Sequence, residues 1–248
     1  MKAELIKKQV ITGKDTLYVF RCPEIAEKAL PGQFVEVKLS AEFFLRRPVS
    51  IFDCDGSETI SLLVRSVGKG TEYMLSLAEG EVLDILGPLG QGFSLPAEPG
   101  KCLLVGGGIG LAPLYYLAKC LKKQGNDVQL FFSPRRDAQL LDAIDNDQFP
   151  AVIAENRKDI ADRLPQSIEG MQYVFSCGPE GLLEQTALEC IKKDIFCQVS
   201  MERRMGCGID LCKGCVVAVY TENGLEYKKA CCDGPVFDAK EVAFHEKP

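Results

Sequence analysis

The chain of 248 residues contains no tryptophan and a single histidine, His245, close to its C-terminal end. That scarcity excludes a good deal of chemistry. Serine–histidine–aspartate and cysteine–histidine nucleophiles, histidine-rich metal sites and a Rieske centre all need imidazoles in defined places. Long apolar runs are missing too, so no segment reads as a membrane span. Met1-Lys2-Ala3-Glu4 leads into a β-like segment without the apolar core of an export signal. Positive charge is not in excess: the formal net charge of −6 argues against nucleic acid as the main partner. The expectation is a cytoplasmic protein that takes its reactivity from a bound redox cofactor.

What is present is ordinary in bulk and unusual in one place. The chain is 46% hydrophobic and 26% charged, as expected of a folded globular protein. Twelve cysteines without an export signal fit a reducing compartment, where thiols bind metals or pack as small apolar groups. Three of them, Cys207, Cys212 and Cys215, have the spacing C-x4-C-x2-C, and Cys231-Cys232 follows. This is the plant-type pattern of a [2Fe–2S] cluster, whose fourth thiolate arrives from further along the chain. Gly206, Gly208 and Gly214 let the backbone wrap closely and turn N–H groups toward sulfur. A structural zinc site built from four cysteines, in a protein with no enzymatic role, usually pairs its ligands as C-x2–4-C twice over. The observed spacing suits iron–sulfur better.

Residues 1–97 read as β structure. Apolar or β-branched runs at Leu5–Thr12, Thr16–Cys22, Phe34–Leu39, Val49–Cys54, Ile60–Val67 and Val82–Leu86 alternate with turn signals such as Pro31-Gly32 and Asp55-Gly56. Six short strands at this spacing predict a small antiparallel barrel, with one helix at Thr71–Ala78. Arg46-Arg47-Pro48-Val49-Ser50 can present a cation and a hydroxyl to a flat anionic ligand, or be a solvated arginine pair. Val67-Gly68-Lys69-Gly70-Thr71 can expose amides to phosphate, or be a turn and N-cap.

From residue 98 to 200 strands alternate with helices, which predicts a parallel sheet covered on both faces. The strands fall at Lys101–Val105, Val128–Phe132, Ala151–Ala154, Tyr173–Ser176 and Phe196–Ser200. The helices fall after Leu111, at Ala138–Ile144, near Asp159–Leu164 and at Glu180–Lys192. Gly106-Gly107-Gly108-Ile109-Gly110 joins the first strand to its helix, the arrangement that binds a nucleotide pyrophosphate. Leu111 stands where a third glycine of G-x-G-x-x-G belongs, so a tight turn without ligand is the alternative. Cys177 ends a strand at the sheet edge where ligands bind, or is simply a buried thiol. Residues 201–248 form the third part, the cysteine module.

This order resembles the ferredoxin–NADP reductase superfamily with a C-terminal [2Fe–2S] module. Arg47-Pro48-Val49-Ser50 is similar to its flavin-binding element, Gly106–Pro113 to its glycine loop and Cys177-Gly178-Pro179 to its C-G-P motif. More narrowly, Gly87–Phe93, Met201–Gly208 and Cys231–Phe237 resemble the electron-transfer subunits of B-type, NAD-dependent dihydroorotate dehydrogenases. The resemblance implies a relay between NAD and an FMN-containing dihydroorotate dehydrogenase catalytic subunit, in a heterotetramer serving pyrimidine biosynthesis. A flavin and iron–sulfur NAD(P)H oxidoreductase subunit serving ferredoxin or sulfide-linked chemistry is the alternative.

By that resemblance Arg47, Pro48, Val49, Ser50, Gly70 and Thr71 hold FAD, and Gly107, Gly108 and Gly110 admit the nicotinamide nucleotide. Cys177 lies near the hydride, and Cys207, Cys212, Cys215 and Cys231 bind the cluster. Cys231 is chosen over Cys232 because it occupies the family's ligand position, two residues before Asp233-Gly234-Pro235. Asp210 departs from the family, which usually has a small residue there. Arg135-Arg136 after the second strand points toward NADP, whereas the resemblance points to NAD and is given more weight.

Overall fold

The computed structural model describes residues 1–134, 138–143 and 149–246. The N-terminal part contains strands β1 (Lys2–Val10), β2 (Asp15–Arg21), β3 (Phe34–Lys38), β4 (Arg47–Cys54), β5 (Thr59–Arg65) and β6 (Val82–Leu89). They close as an antiparallel barrel in the order β1-β2-β5-β4-β3-β6. Alternation builds the interior: Leu5, Tyr18, Phe20, Val35, Val37, Ile51, Ile60, Leu62 and Ile85 are all fully buried. Full closure leaves no free edge.

Two short helices decorate the barrel. Helix α1 (Pro23–Ala26) is a single turn that the hydrophobic pattern misses, begun by a proline whose fixed φ suits a helix start. Helix α2 (Lys69–Met74) lies earlier than the expected Thr71–Ala78. The reason is local. The Thr71 hydroxyl accepts from the Val67 and Gly68 N–H groups at 2.9 and 3.2 Å, so the chain turns helical before Thr71 rather than at it. Lys8 Nζ then takes the Leu75 and Leu77 carbonyls and stops the helix.

The second sheet holds β7 (Lys101–Gly107), β8 (Asp127–Ser133), β9 (Ala151–Ile153), β10 (Tyr173–Cys177) and β11 (Phe196–Ser200), all parallel, in the order β11-β10-β7-β8-β9. Helices α3 (Leu111–Lys123), α4 (Arg157–Ile168) and α5 (Glu180–Lys192) connect them. The expected helix at Ala138–Ile144 is a 3-10 segment over Ala138–Ala143, the tighter form usual in short connectors, and Ile144 lies outside the described residues. Strand order reverses between β7 and β10, which creates the crevice where open α/β sheets bind ligands.

The C-terminal part supplies a hairpin of β12 (Val216–Thr221) and β13 (Gly224–Lys229), and a strand β14 (Val236–Asp238). Strand β14 adds antiparallel to β11, so this part is stitched into the edge of the large sheet. No helix among the described residues is long and apolar enough to cross a membrane.

Helix α3 joins the sheet to the barrel through two different faces. Leu114, Leu117, Ala118 and Leu121 are buried with the sheet's side chains, at the i, i+3, i+4, i+7 spacing of one helix stripe. Tyr115 stacks on Phe52 of β4 with ring centroids 4.6 Å apart, Tyr116 donates to the Ala29 carbonyl at 3.0 Å, and Lys119 pairs with Asp53 at 2.7 Å.

Where β2 begins and β5 ends, Asp15 is wholly buried and binds Arg65 with both oxygens, at 2.7 and 2.9 Å, while Thr12 donates to it at 2.7 Å. Replacing Asp15 with alanine leaves a largely buried guanidinium without its bidentate partner. The expected loss is about 3 kcal/mol of barrel stability, read by urea unfolding.

Candidate functional site

A cleft of about 390 Å3 opens where the barrel, the parallel sheet and the cysteine module meet. That volume lies within the range of small-molecule sites. Pro48, Val49 and Ser50 of β4 form one wall, and Ile109, Ala112 and Pro113 at the start of α3 form another. Cys177 and Ser200, at the carboxyl ends of β10 and β11, close the third, and Met201, Glu202, Arg203 and Met205 lead from there toward Cys207. One cavity thus touches all three parts of the chain.

The two arginines of the 46–47 pair have separate lives. Arg46 is structural: its guanidinium pairs with Asp84 at 2.7 Å and donates to the Asp84 and Glu36 carbonyls. Arg47 lies over the Phe43 ring, 5.3 Å from its centroid, and donates to the Leu45 and Arg46 carbonyls. A Cβ at Gly70 would collide with the Arg47 guanidinium, so this glycine makes room for arginine. Thr71 lines the cleft, but its hydroxyl is engaged by the turn at Val67 and Gly68.

The glycine loop is also explained first by packing. Gly106 and Gly107 remain in β7, and the turn begins at Gly108, whose φ of +54° favours glycine. A Cβ on Gly107 would stand 2.6 Å from Pro179 Cδ, and one on Gly110 would strike the Cys177 carbonyl. The loops that end β7 and β10 therefore touch backbone to backbone, with Cys177 in register with Gly106. Helix α3 starts immediately after, with no side chain capping its first N–H groups. Such a helix start is suited to an anionic group.

Cys177 is 2% exposed, and burial above all, then the nearby Glu202 charge, pushes its thiol well above the usual range. Such burial disfavours the thiolate, the nucleophilic form. Burial also raises the Glu202 carboxyl. Arg203 links α5 to the hairpin, pairing with Glu180 at 3.4 Å and donating to the Val216 carbonyl at 3.2 Å. Arg65, Ile109, Glu202, Arg203 and Met205 were not singled out from the sequence. Only the block Met201–Gly208 hinted at the last three, as a resemblance without a role. Arg135 and Arg136 lie outside the described residues.

In the cysteine loop, the backbone turns into the left-handed region at Gly208, Asp210 and Lys213, with φ of +69°, +72° and +55°. This coil brings the Leu211 and Cys212 N–H groups to 3.3 Å from Cys207 Sγ, and the Gly214 N–H to 3.4 Å from Cys212 Sγ. Backbone N–H groups, that of Ile209 foremost, pull the Cys207 thiol down to about 7, which favours the metal-binding thiolate. The thiols meet in pairs: Cys207 with Cys212, and Cys215 with Cys231. A two-iron cluster takes two thiolates on each iron, so two pairs fit it. No group of three metal-ligating side chains among the described residues is gathered to cage a single ion. Cys232 turns away, its thiol 4.0 Å from the Lys229 carbonyl and beside Asp210.

A closed barrel, a doubly wound sheet docked on it by α3 and a thiol loop that follows directly on the Met201–Met205 wall of their shared cleft define a reductase of the ferredoxin-reductase class, with an iron–sulfur module at its end. Comparison with known proteins narrows the class. Residues 2–93 match the oxidoreductase FAD-binding domain, and residues 202–243 match the iron–sulfur cluster binding domain of dihydroorotate dehydrogenase B. The electron transfer subunit of dihydroorotate dehydrogenase B (NAD+) from Caldanaerobacter subterraneus subsp. tengcongensis is 34% identical over 249 residues, covering 98% of each chain. That of Geobacillus sp. (strain WCH70) is 38% identical over 235 residues, covering 88% of each. Among solved structures, a chain of the NADH-dependent reduced ferredoxin–NADP oxidoreductase aligns with a TM-score of 0.85 and 27% identity, over 98% of this chain and 90% of that one. The ferredoxin reductase of carbazole 1,9a-dioxygenase shares the fold, with a TM-score of 0.67 and 22% identity over 79% of this chain and 66% of that one. The chain belongs to the family of electron transfer subunits of NAD+-dependent dihydroorotate dehydrogenase B.

The contact between Gly110 and Cys177 gives a direct check on how tightly the two loops are set. Gly110→Ala is expected to cost about 1–3 kcal/mol through overpacking, seen as a lower melting temperature. Gly181→Ala, where an added Cβ meets nothing within 4 Å, is expected to leave the melt unchanged or slightly higher.

Proposed function

We propose that this chain relays electrons between an FMN-containing dihydroorotate dehydrogenase catalytic subunit and NAD, through a [2Fe–2S] cluster and FAD, in cytoplasmic pyrimidine biosynthesis. The two subunits form a heterotetramer in this reading. The observation that carries it is the shared wall: the segment Met201–Met205 lines the cleft and runs directly into Cys207. A ligand in the cleft and a cluster on the thiols are thereby neighbours in one frame. When bound, FAD exchanges a hydride with nicotinamide and single electrons with the cluster.

The residues of the chain divide that work. Pro48, Val49 and Ser50 offer a strand surface with a hydroxyl that would hold the flavin ring. Arg47, held in place by Gly70 and by the Phe43 ring, supplies positive charge for the FAD phosphates, with Gly70 and Thr71 at the head of α2. Gly107, Gly108 and Gly110 keep the crevice narrow, and the uncapped start of α3 would receive the pyrophosphate of NAD. Cys177 acts as a small neutral wall group beside the nicotinamide and holds its proton throughout. Cys207 and Cys212, and Cys215 and Cys231, would hold the cluster as two thiolate pairs.

The cofactor content tests the reading. The purified protein is expected to be coloured, with one FAD and two irons per chain. Cys231→Ser is expected to lose or strongly alter the cluster spectrum, and Cys232→Ser to keep it. Zinc in place of iron would overturn the cluster assignment, and the reverse mutant pattern would overturn the choice of Cys231.

The nucleotide preference is a separate expectation. With an artificial acceptor that draws electrons from the flavin, kcat/KM for NADH should exceed that for NADPH by roughly tenfold, about 1.4 kcal/mol of transition-state binding. A preference for NADPH would favour a reductase serving another partner.

A further inference from the structure

One buried acidic side chain stands outside this division of work. Glu36, in the middle of β3, is 1% exposed, and neither of its carboxyl oxygens has a hydrogen-bond partner. Strand alternation explains where it points. Val35 and Val37 enter the barrel interior, so Phe34 and Glu36 leave through the opposite face. Phe34 belongs there to the buried cluster that also holds Cys215, Val217 and Cys231. Glu36 meets Gly208: a Cβ on that glycine would stand 2.5 Å from Glu36 Oε1 and 2.7 Å from its Cγ. Gly208 follows Cys207 directly. On its other side Glu36 is in register with Pro48, which lines the cleft.

Packing does not explain a carboxyl group in this place. An unpaired buried carboxylate is costly, and an apolar side chain of equal length would fill the same space at no such penalty. Two cations lie near without bonding to it. Arg46 is occupied by Asp84 and by main-chain carbonyls, and Arg47 by the Leu45 and Arg46 carbonyls. Burial raises the Glu36 carboxyl to about 7 against the pull of both arginines. The carboxyl therefore acts through space, on whatever the adjoining loop holds.

We propose that Glu36 is a positioning residue for electron transfer: carried on a barrel strand with its side chain packed against Gly208, it places a carboxylate that opposes reduction of the cluster that the adjoining loop would hold. The physical basis is general. A negative charge in a poorly screened interior disfavours the arrival of an electron nearby, and local charge and hydrogen bonding set iron–sulfur potentials. The inference rests on the cluster reading of Cys207, Cys212, Cys215 and Cys231.

The test uses the full-length, cofactor-loaded protein and the variants Glu36→Met and Glu36→Gln. Iron content of the wild-type chain is measured first; a wild type without two irons defeats the cluster reading itself. Both variants are expected to keep two irons, and Glu36→Met to melt no lower than wild type, since it replaces an unpaired buried charge by an apolar group of similar shape. In a redox titration followed by electron paramagnetic resonance at one fixed alkaline pH, both should shift the cluster equilibrium toward the reduced form. The expected shift is tenfold or more, about 59 mV for a one-electron couple. The flavin couples should stay at their wild-type values. Should Glu36→Met fail to hold the cluster, Glu36→Gln decides alone. An unchanged cluster equilibrium, or a shift toward the oxidised form, overturns the role of Glu36 and leaves the cluster reading intact.

Discussion

The structure depends on a backbone contact at Gly234-Pro235, where the barrel, the large sheet and the cysteine module come together. The Gln91 N–H, just past β6, donates to the Gly234 carbonyl at 2.5 Å, and the Met201 N–H, just past β11, donates to the Pro235 carbonyl at 2.8 Å. The approach is so close that a Cβ on Gly90 would stand 2.7 Å from the Gly234 carbonyl, at a φ of +78° that already favours glycine. Strand β14 follows at once and pairs with β11. Main-chain bonds, not a flexible linker, thus fix the thiol loop relative to the cleft. Electron transfer between two sites needs that kind of fixed separation, because the carriers do not diffuse to each other.

Helix α3 performs the corresponding task for the nucleotide crevice. Its leucine stripe belongs to the sheet, and its Tyr115, Tyr116 and Lys119 belong to the barrel. The start of the same helix forms a wall of the cleft. A helix buried on two sides cannot shift toward one partner without losing the other, so the crevice keeps its width. The chain's lack of an imidazole in the cleft is consistent with this design. Cys177 is a protonated, buried thiol and the other cleft residues are walls and charges, so the protein contributes geometry and electrostatics while bound cofactors carry the reactivity.

The sequence made the architecture legible wherever one short rule decides the outcome. Alternation along six short runs gave the barrel, strand–helix alternation gave the parallel sheet, and the C-x4-C-x2-C spacing pointed to the cluster. The roles of the glycines were less legible, because spacing does not say what a glycine faces. Gly70 faces Arg47, Gly107 faces Pro179 and Gly208 faces Glu36, and each is required by its neighbour before any ligand is considered. The arginine pair looked like one feature, yet Arg46 is tied to Asp84 while Arg47 borders Gly70. Glu36 left no trace in the pattern at all. A polar residue on an alternating strand normally reads as solvent-facing, and here the outer face of the barrel is covered by the cysteine module, a contact between residues far apart in the chain.

Asp210 shows how such a long-range contact changes the meaning of a local departure. From the sequence, an extra carboxylate inside the thiol loop either lowers the cluster potential or faces water. In the structure it does neither fully, for it forms an ion pair with Lys229, at the end of β13 and two residues before Cys231. The pair offsets part of the carboxylate's field, because opposite charges in contact act at a distance as a dipole. It also ties the loop that carries Cys207, Cys212 and Cys215 to the strand that leads to Cys231. The left-handed backbone at Asp210 has a modest cost for a non-glycine residue, least for Asp and Asn. A carboxylate that brings its own counter-ion from the facing strand offsets that cost. Two carboxylates therefore border the same loop with different weight: Asp210 half exposed and paired, Glu36 buried and without a bonded partner. The second has no ion-pair partner in contact, only the more distant Arg46 and Arg47 charges.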